Sequence, residues 1–506
     1  MAKHSALVAT ACVSALLLAL NLPARADDVS ETSGVSKVRI VRLSEVKGSV
    51  QLDRNNGRGF EPATANLPVV EGSKLRTGQG VAEIEFEDNS TVRVAPDSVV
   101  EFPQLERHAD GTTASSVHLL QGMAYVSIVK AKPNEFNVLF GEQKLSLPSP
   151  SHVRLQLAGT EARLAVLDNT LRIDGPSGAL DVSKKKTITF DMMEHQQPTV
   201  AKDILPEPYD EWDQSSVGYH ARVANNSAFG GSSYAYGLND MSYYGNFVSG
   251  CGMGMMWRPY FTSAAWDPFA NGTWAWYQGA GYSWVSPYPW GWTPYHSGSW
   301  AFCPGTGWGW MPGGSWYGLN NMNMMAYNPT NSVPAAGGGG PGRPIAPPHP
   351  PRTGEPSMVA VNTRPIVRSE VSSPESFVFR RDSAGLGVPR DAFGKLDKMS
   401  QHADTHGAVN QRIYLSVPET AMGPGRPTST AVMAGSIRRG SPPQSPSMGM
   451  QPVGGSGGYS GRSGGNSGPI MSSPSSGPRM SSPGMGSPGP VSSPAPVSSG
   501  GSPRSH

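Results

Sequence analysis

The chain has 506 residues, with 61 glycines and 47 prolines but a charged fraction of only 15%. That length allows two or three domains, yet the glycine and proline excess gathers toward the C-terminus and excludes a third large core there. A formal charge of +2 hides an asymmetry, because residues 330–506 carry 16 Lys/Arg against 8 Asp/Glu while residues 27–329 carry 22 against 30.

Residues 1–26 read as a secretory signal. Lys3 supplies the positive start, 5–20 (SALVATACVSALLLAL) is the apolar run, and Ala24-Arg25-Ala26 is a small-x-small cleavage site. The run is short against the roughly 20 residues of a membrane span. Cleavage and export to the periplasm or the medium are therefore expected, with membrane attachment only if the signal stays uncleaved. Cys12 lies inside the signal, which leaves Cys251 and Cys303 in the mature chain. In an oxidising compartment these two can pair, and two cysteines alone make no structural zinc site.

From about Val38 to Val200 the pattern predicts strand after strand. In VAEIEFED, Ala82, Ile84 and Phe86 alternate with Glu83, Glu85 and Glu87, which predicts one buried face and one acidic, wet face. Asp88-Asn89-Ser90 supplies turn chemistry before Val92 and Val94 resume the inward face, so 80–94 reads as a hairpin. Short runs continue to 187–190 with turn residues between them, and no helical period persists. The expected fold is all-β, either a sandwich or a short β-solenoid.

VKGSVQL (46–52), EGSKLRTG (71–78) and GVAEIEFEDNSTVRVAPDSVVEF (80–102) resemble the periplasmic FecR-type domain. Gly72, Leu75, Arg76, Thr77 and Gly78 match that family's G-x-x-[IL]-R-T-G element, while Asp88-Asn89-Ser90 replaces its usual Asp-Gly-Ser. The resemblance covers roughly 38–200 and implies an envelope β-domain that binds another component. The best-known members relay a transport signal to a sigma factor through a cytoplasmic N-terminal segment and one membrane span. The signal-like N-terminus departs from that pattern, so the relay is not carried over.

Residues 203–238 form a junction, in which LPEPYDEWDQ has helix-start chemistry and ANNSAFGGSSYAYG is loop-like. Residues 239–317 then hold every tryptophan except Trp212. WDPFANGTWAWYQGAGYSWV (266–285) recurs 26 residues later as WTPYHSGSWAFCPGTGWGWM (292–311), and a worn third copy upstream keeps Gly245, Phe247, Gly254 and Trp257. Each copy predicts a β-hairpin with a glycine pair at its turn, and three together make a small aromatic β-domain. YGLNDMSYYGNF and GWGWMPGG resemble a domain of unknown function that often follows FecR-type domains. From 330 to 506 the chain is a Pro/Gly/Ser-rich, basic tail, expected to be mostly disordered. Within it, 365–416 (ESFVFRR, VPRDAFGKLDKM, QRIYLSV) is apolar enough to dock as short segments.

No catalytic motif is present: no G-x-S-x-G, no H-E-x-x-H and no phosphate loop. The expectation is a non-enzyme without metal or cofactor. His296, with Asp240 and Asp267 in neighbouring units, is the one polar set worth following. Trp257, Trp274, Trp284, Trp290, Trp292, Trp300 and Trp310 admit two readings. They form either an aromatic platform for glycan, peptidoglycan or Pro-rich peptide, or the core of a domain short of aliphatics. Nucleic acid is not an expected partner, since Arg258 is the aromatic region's single basic side chain of the Lys/Arg type. The basic tail can reach an anionic surface. The sequence thus predicts an exported binding or scaffold protein of the bacterial envelope, with a carbohydrate-binding module as the alternative.

Overall fold

A computed structural model describes residues 38–412, apart from 131–133, 176–177, 194–197, 224–235, 251, 253, 314, 321–349, 353–355, 363–369 and 374–375. The signal-like segment, most of the low-complexity tail and Cys251 lie outside the described residues.

In chain order the main strands of the first part are β1 (Val41–Asp53), β2 (Lys74–Glu85), β3 (Thr91–Val94), β4 (Val99–Arg107), β5 (Thr113–Gln121), β6 (Met123–Ile128), β7 (Glu135–Phe140), β8 (Ser151–Ala158), β9 (Glu161–Asp168) and β10 (Lys186–Asp191). β1 and β2 pair antiparallel along most of their length. β2 then forks, because Lys74–Arg76 lies on β4 whereas Ala82–Glu85 lies on β3. One branch runs on through β5 and β7, the other through β6, β8, β9 and β10. Every pairing in this sheet is antiparallel except β5 with β7. The result is a curled, forked sheet rather than a solenoid of parallel coils. Leu43, Leu75, Ile84, Val92, Val100, Val126, Leu155 and Leu164, all fully or almost fully buried, fill the space inside it.

The hairpin at 80–94 forms as the alternation predicts, with Ala82 opposite Val94 and Ile84 opposite Val92. Its turn closes through the Ser90 carbonyl accepting from the Phe86 N–H at 2.8 Å, and Asn89 sits at φ 72°. Asparagine is one of the few residues with a side chain that enters the left-handed region readily, so it can stand where the family has glycine. The acidic face is a different matter. Glu83 and Glu85 are 0% exposed and Glu87 is 8% exposed. The expected wet face is covered by helices α1 (Asp210–Val223) and α2 (Leu238–Tyr244). The alternation reports which residues face the sheet interior; it says nothing of a second layer laid on the other side.

The aromatic region folds as three hairpins: β11 (Gly245–Ser249) with β12 (Met255–Pro259), β13 (Asn271–Tyr277) with β14 (Gly281–Val285), and β15 (Ser299–Cys303) with β16 (Gly307–Met311). A short helix, α3 (Thr293–His296), precedes the third. In each hairpin the repeated aromatics face one another across the strands: Phe247 and Trp257, Trp274 and Trp284, Trp300 and Trp310. The first and third hairpins join through Trp257 opposite Trp310, while the second gains β17 (Met358–Asn362) from beyond the repeats. The glycine two residues before the first aromatic of each pair has a steric cause. A Cβ on Gly272 would lie 2.1 Å from the Trp284 indole, and one on Gly245 or Gly298 would lie 2.4 Å from Trp257 or 2.6 Å from Trp310.

A last piece packs on this aromatic core. It comprises β18 (Glu370–Ser373), β19 (Ser376–Arg380), α4 (Leu396–His406) and β20 (Ala408–Arg412), and contributes Phe377, Phe379, Phe393, Leu396 and Ala403. The first core also takes in Tyr236, Tyr277, Val285 and Trp292 from the aromatic region.

Replacing Gly272 by alanine should therefore cost roughly 1–3 kcal/mol, the usual range for overpacking a filled site. Gly394→Ala, where an added Cβ meets nothing within 4 Å, should stay within about 0.5 kcal/mol. Urea unfolding of the two variants compares them directly, and equal midpoints would remove the steric account.

Candidate functional site

Where the acidic face of β2 meets α1 and α2, ionisable side chains from six segments converge. Arg42 on β1 sits 2.9 Å from Glu85 and 2.6 Å from Asp240 of α2. Arg93 on β3 lies 3.0 Å from Glu83 and 2.6 Å from Asp213 of α1. Arg390, in the loop before α4, reaches Glu83 and Asp240, each at 2.7 Å, and donates to the Ser44 carbonyl at 3.0 Å. Its guanidinium also lies over the Tyr219 ring, whose hydroxyl donates to Asp240 at 2.8 Å. Of the seven charged groups just named, six have side chains no more than 1% exposed, and Arg390 is 12% exposed.

A second layer of hydrogen bonds ties the same elements together. His220 of α1 places Nε2 3.0 Å from Glu83 and Nδ1 3.0 Å from the Asn89 side-chain oxygen. Asn239 of α2 donates to that oxygen at 3.0 Å. These bonds use the Asn89 side chain, which the family's glycine would lack. Arg42 extends the junction further, since its Nε donates to Asn66, whose amide donates to the Ser286 and Tyr288 carbonyls of the aromatic region.

Burial alone would raise the Glu83 carboxyl, but His220, Arg390 and Arg93 hold it well below its ordinary value. Asp240 follows the same logic: burial raises it, and Arg390 and Arg42 bring it down. Tyr219 is pushed well up by burial and by Asp240. The arrangement is built to keep carboxylates ionised in a dry place. Such a site fixes the relative position of the segments that supply it.

A cleft of about 540 Å³ opens elsewhere, lined among others by Arg39, Arg54, Arg107, Tyr277 and Leu319. Its cations are already engaged: Arg39 and Arg107 with Glu87, and Arg54 with Glu61. Arg54 also donates to the Trp276 carbonyl at 2.7 Å and to Ser357.

The seven tryptophans proposed as a platform are all in the interior. Trp257, Trp290 and Trp292 are 0% exposed, and Trp274, Trp284, Trp300 and Trp310 no more than 4%. Six of them share one core with Trp266, Phe269, Tyr288 and Tyr295, while Trp292 packs on Tyr236, His296 and Trp316. Trp257, Trp290, Trp300 and Trp310 each donate their N–H to a backbone carbonyl. None of the seven offers an open indole face, because this part of the chain is short of branched aliphatics and spends its rings on a core. His296, Asp240 and Asp267 do not form a set. His296 is buried against Trp292 and the Gly318 carbonyl, and burial pushes it down to about 4. Asp267 accepts from the Phe269 N–H, and Asp240 belongs to the junction. Cys303 is disulfide-bonded and packs with Met256 and Val248, which flank the loop containing Cys251. Among the described residues no group of three or more His, Cys, Asp or Glu is placed to hold a metal.

Residues 73–172 match the family described as FecR protein, and residues 238–330 match a family of unknown function (DUF6600). The resemblance read from 46–102 and from the aromatic repeats is thus borne out: the chain carries a FecR-type domain followed by an aromatic domain of that family. No curated protein matches it. Two solved structures, each described as a "putative anti-sigma factor" from Parabacteroides distasonis, align at 12% and 11% identity. They cover 30% and 36% of this chain and 73% and 96% of their own, with TM-scores of 0.24 and 0.23.

Removing one member of the junction strands its partners without water. Asp240→Ala should cost roughly 3–5 kcal/mol, as for other broken buried pairs, whereas Asp391→Asn at the surface should cost under about 1 kcal/mol. The pH dependence has a definite sign. Glu83 and Asp240 have folded values below their ordinary 4.5 and 3.8. Their contribution is therefore complete above those ordinary values and is lost as pH falls below them. Urea midpoints measured from pH 7 to pH 3 should drop mainly below about 4.5. In Asp240→Asn the drop should be smaller; an unchanged profile would show that these carboxylates do not set the acid limit.

Proposed function

We propose that the protein is an exported, non-catalytic scaffold or binding protein of the bacterial envelope, serving in sensing through its FecR-type domain. The observation that carries this reading is the burial of the acidic β2 face beneath α1 and α2. It ties the FecR-type sheet to the aromatic domain through buried ion pairs and hydrogen bonds, which suits presenting a surface rather than enclosing a reaction. FecR-type relatives are regulatory, which fits a non-enzyme. Among the described residues no helix is long and apolar enough to cross a membrane. The signal-like residues 1–26 supply export, and the basic tail supplies a contact for anionic surfaces. The partner is an envelope protein, with the cleft near Arg54 and Tyr277 as a concave surface lined by residues of both domains.

Buried indoles count against the glycan alternative. On the full chain, acrylamide should quench tryptophan fluorescence weakly, and peptidoglycan fragments should leave the quenching unchanged. Strong quenching relieved by glycan would restore the carbohydrate reading. Fractionation with intact mass should find a mature chain beginning at Asp27 outside the cytoplasm; an unprocessed cytoplasmic protein would sink the envelope assignment.

Cys251 and Cys303 are proposed as the disulfide partners, in keeping with an oxidising address. Non-reducing peptide mapping should recover them linked, and recovery of Cys251 as a free thiol would refute the pairing.

A further inference from the structure

We infer that residues 370–412 form a strap that opens as a single unit from the two-domain body, with Arg390 as its latch. The inference stands on packing and charge and does not depend on where the protein resides. Strands β18, β19 and β20 hydrogen-bond to one another and to no strand of the other sheets among the described residues. Lifting them breaks no ladder of the body.

What holds the strap is local. Phe379 stacks on Phe261 at 5.2 Å, and Trp290 and Tyr244 donate to the Ala384 and Val388 carbonyls, each at 2.7 Å. Ala384 and Phe261 exchange one backbone bond, and Ser400 accepts from the Phe261 N–H at 2.7 Å. The loop that carries the latch is conformationally costly. Ala384 stands at φ 49°, where a residue with a Cβ is disfavoured, while Asp382 and Asp391 at 63° and 57° are of a type that tolerates the region.

Arg390 couples this loop to the junction. Without it, Glu83 and Asp240 keep Arg42, Arg93 and His220 as counter-groups. They must share these with Glu85 and Asp213. At the rim stand Glu45, Lys47 and Tyr219, together with the exposed Arg222–Asp391 pair. An open strap leaves anionic charge that has to be hydrated, so closure depends on the guanidinium being in place. Opening also uncovers Tyr244, Phe261 and Trp290, a groove whose resident is an aromatic segment that carries the latch arginine. A partner segment of that chemistry is what such a groove would accept in exchange.

Hydrogen exchange of the full chain, read by mass spectrometry, tests the strap. In Arg390→Gln, amides of 376–412 should exchange at least about tenfold faster while those of β8 and β9 keep their protection. Asp391→Asn, which removes only an exposed pair, should change neither. Unaltered strap amides in Arg390→Gln would overturn the latch. A rise in step across the whole body would overturn the independent strap. Should Arg390→Gln fail to fold, the wild type in graded urea gives the same reading. Strap amides exchanging at lower urea than β8 and β9 support the inference, and a coincident loss of protection defeats it.

Discussion

Three carboxylates, two on one strand of a β-sheet and one in the turn that follows it, must be kept out of water, and the rest of the molecule is arranged to make that tolerable. Glu83 and Glu85 are fully buried and Glu87 nearly so. Each needs a cation and a full set of hydrogen bonds, since an isolated buried charge is far more costly than any single apolar contact is favourable. The chain supplies Arg39, Arg42 and Arg93 from the same domain. It brings Arg390 across 307 positions of sequence. Such a junction adds little net stability over an apolar one of equal volume. What it provides is register: α1, α2 and the 382–391 loop can seat in one arrangement only.

Strand positions were legible because they follow from a period of two that the chain repeats with turn residues between. The hairpin at 80–94 and the three aromatic hairpins are local, and each is specified by residues within about 20 positions. What lay beyond reach was long-range. Nothing in VAEIEFED says whether its polar face meets water or a second layer, because glutamate alternation is the same in both cases. Composition offered one hint: a helix beginning at Asp210 with few apolar residues has to pack on something polar. For Arg390 the hint was partial: VPRDAFGKLDKM reads as a docking segment, but an arginine within it reads as solvated.

Asn89 shows how a departure from a family motif can carry information. At φ 72° glycine is the easy choice and asparagine a tolerated one. Here the side chain that glycine lacks is bonded to His220 and Asn239. A turn that elsewhere only reverses the chain has become part of the joint. The substitution reads as neutral in isolation and acquires its meaning from two residues more than 130 positions away.

The tryptophans teach the complementary lesson. Indole is the obvious ligand-stacking group, and a run of eleven invites a binding-face reading. The repeat itself points the other way once its glycines are considered. A glycine beneath each cross-strand indole, as at Gly272 and Trp284, is needed only if the ring lies flat on its own hairpin. A ring held out for a ligand would need no such space. Repeated glycine and tryptophan at a constant spacing of 12 therefore describe internal packing, and the same geometry in another chain would argue for a core before a site. The polar chemistry of this protein lies instead at the seam between its domains, where aromatic side chains such as Tyr219 serve the charges rather than a ligand.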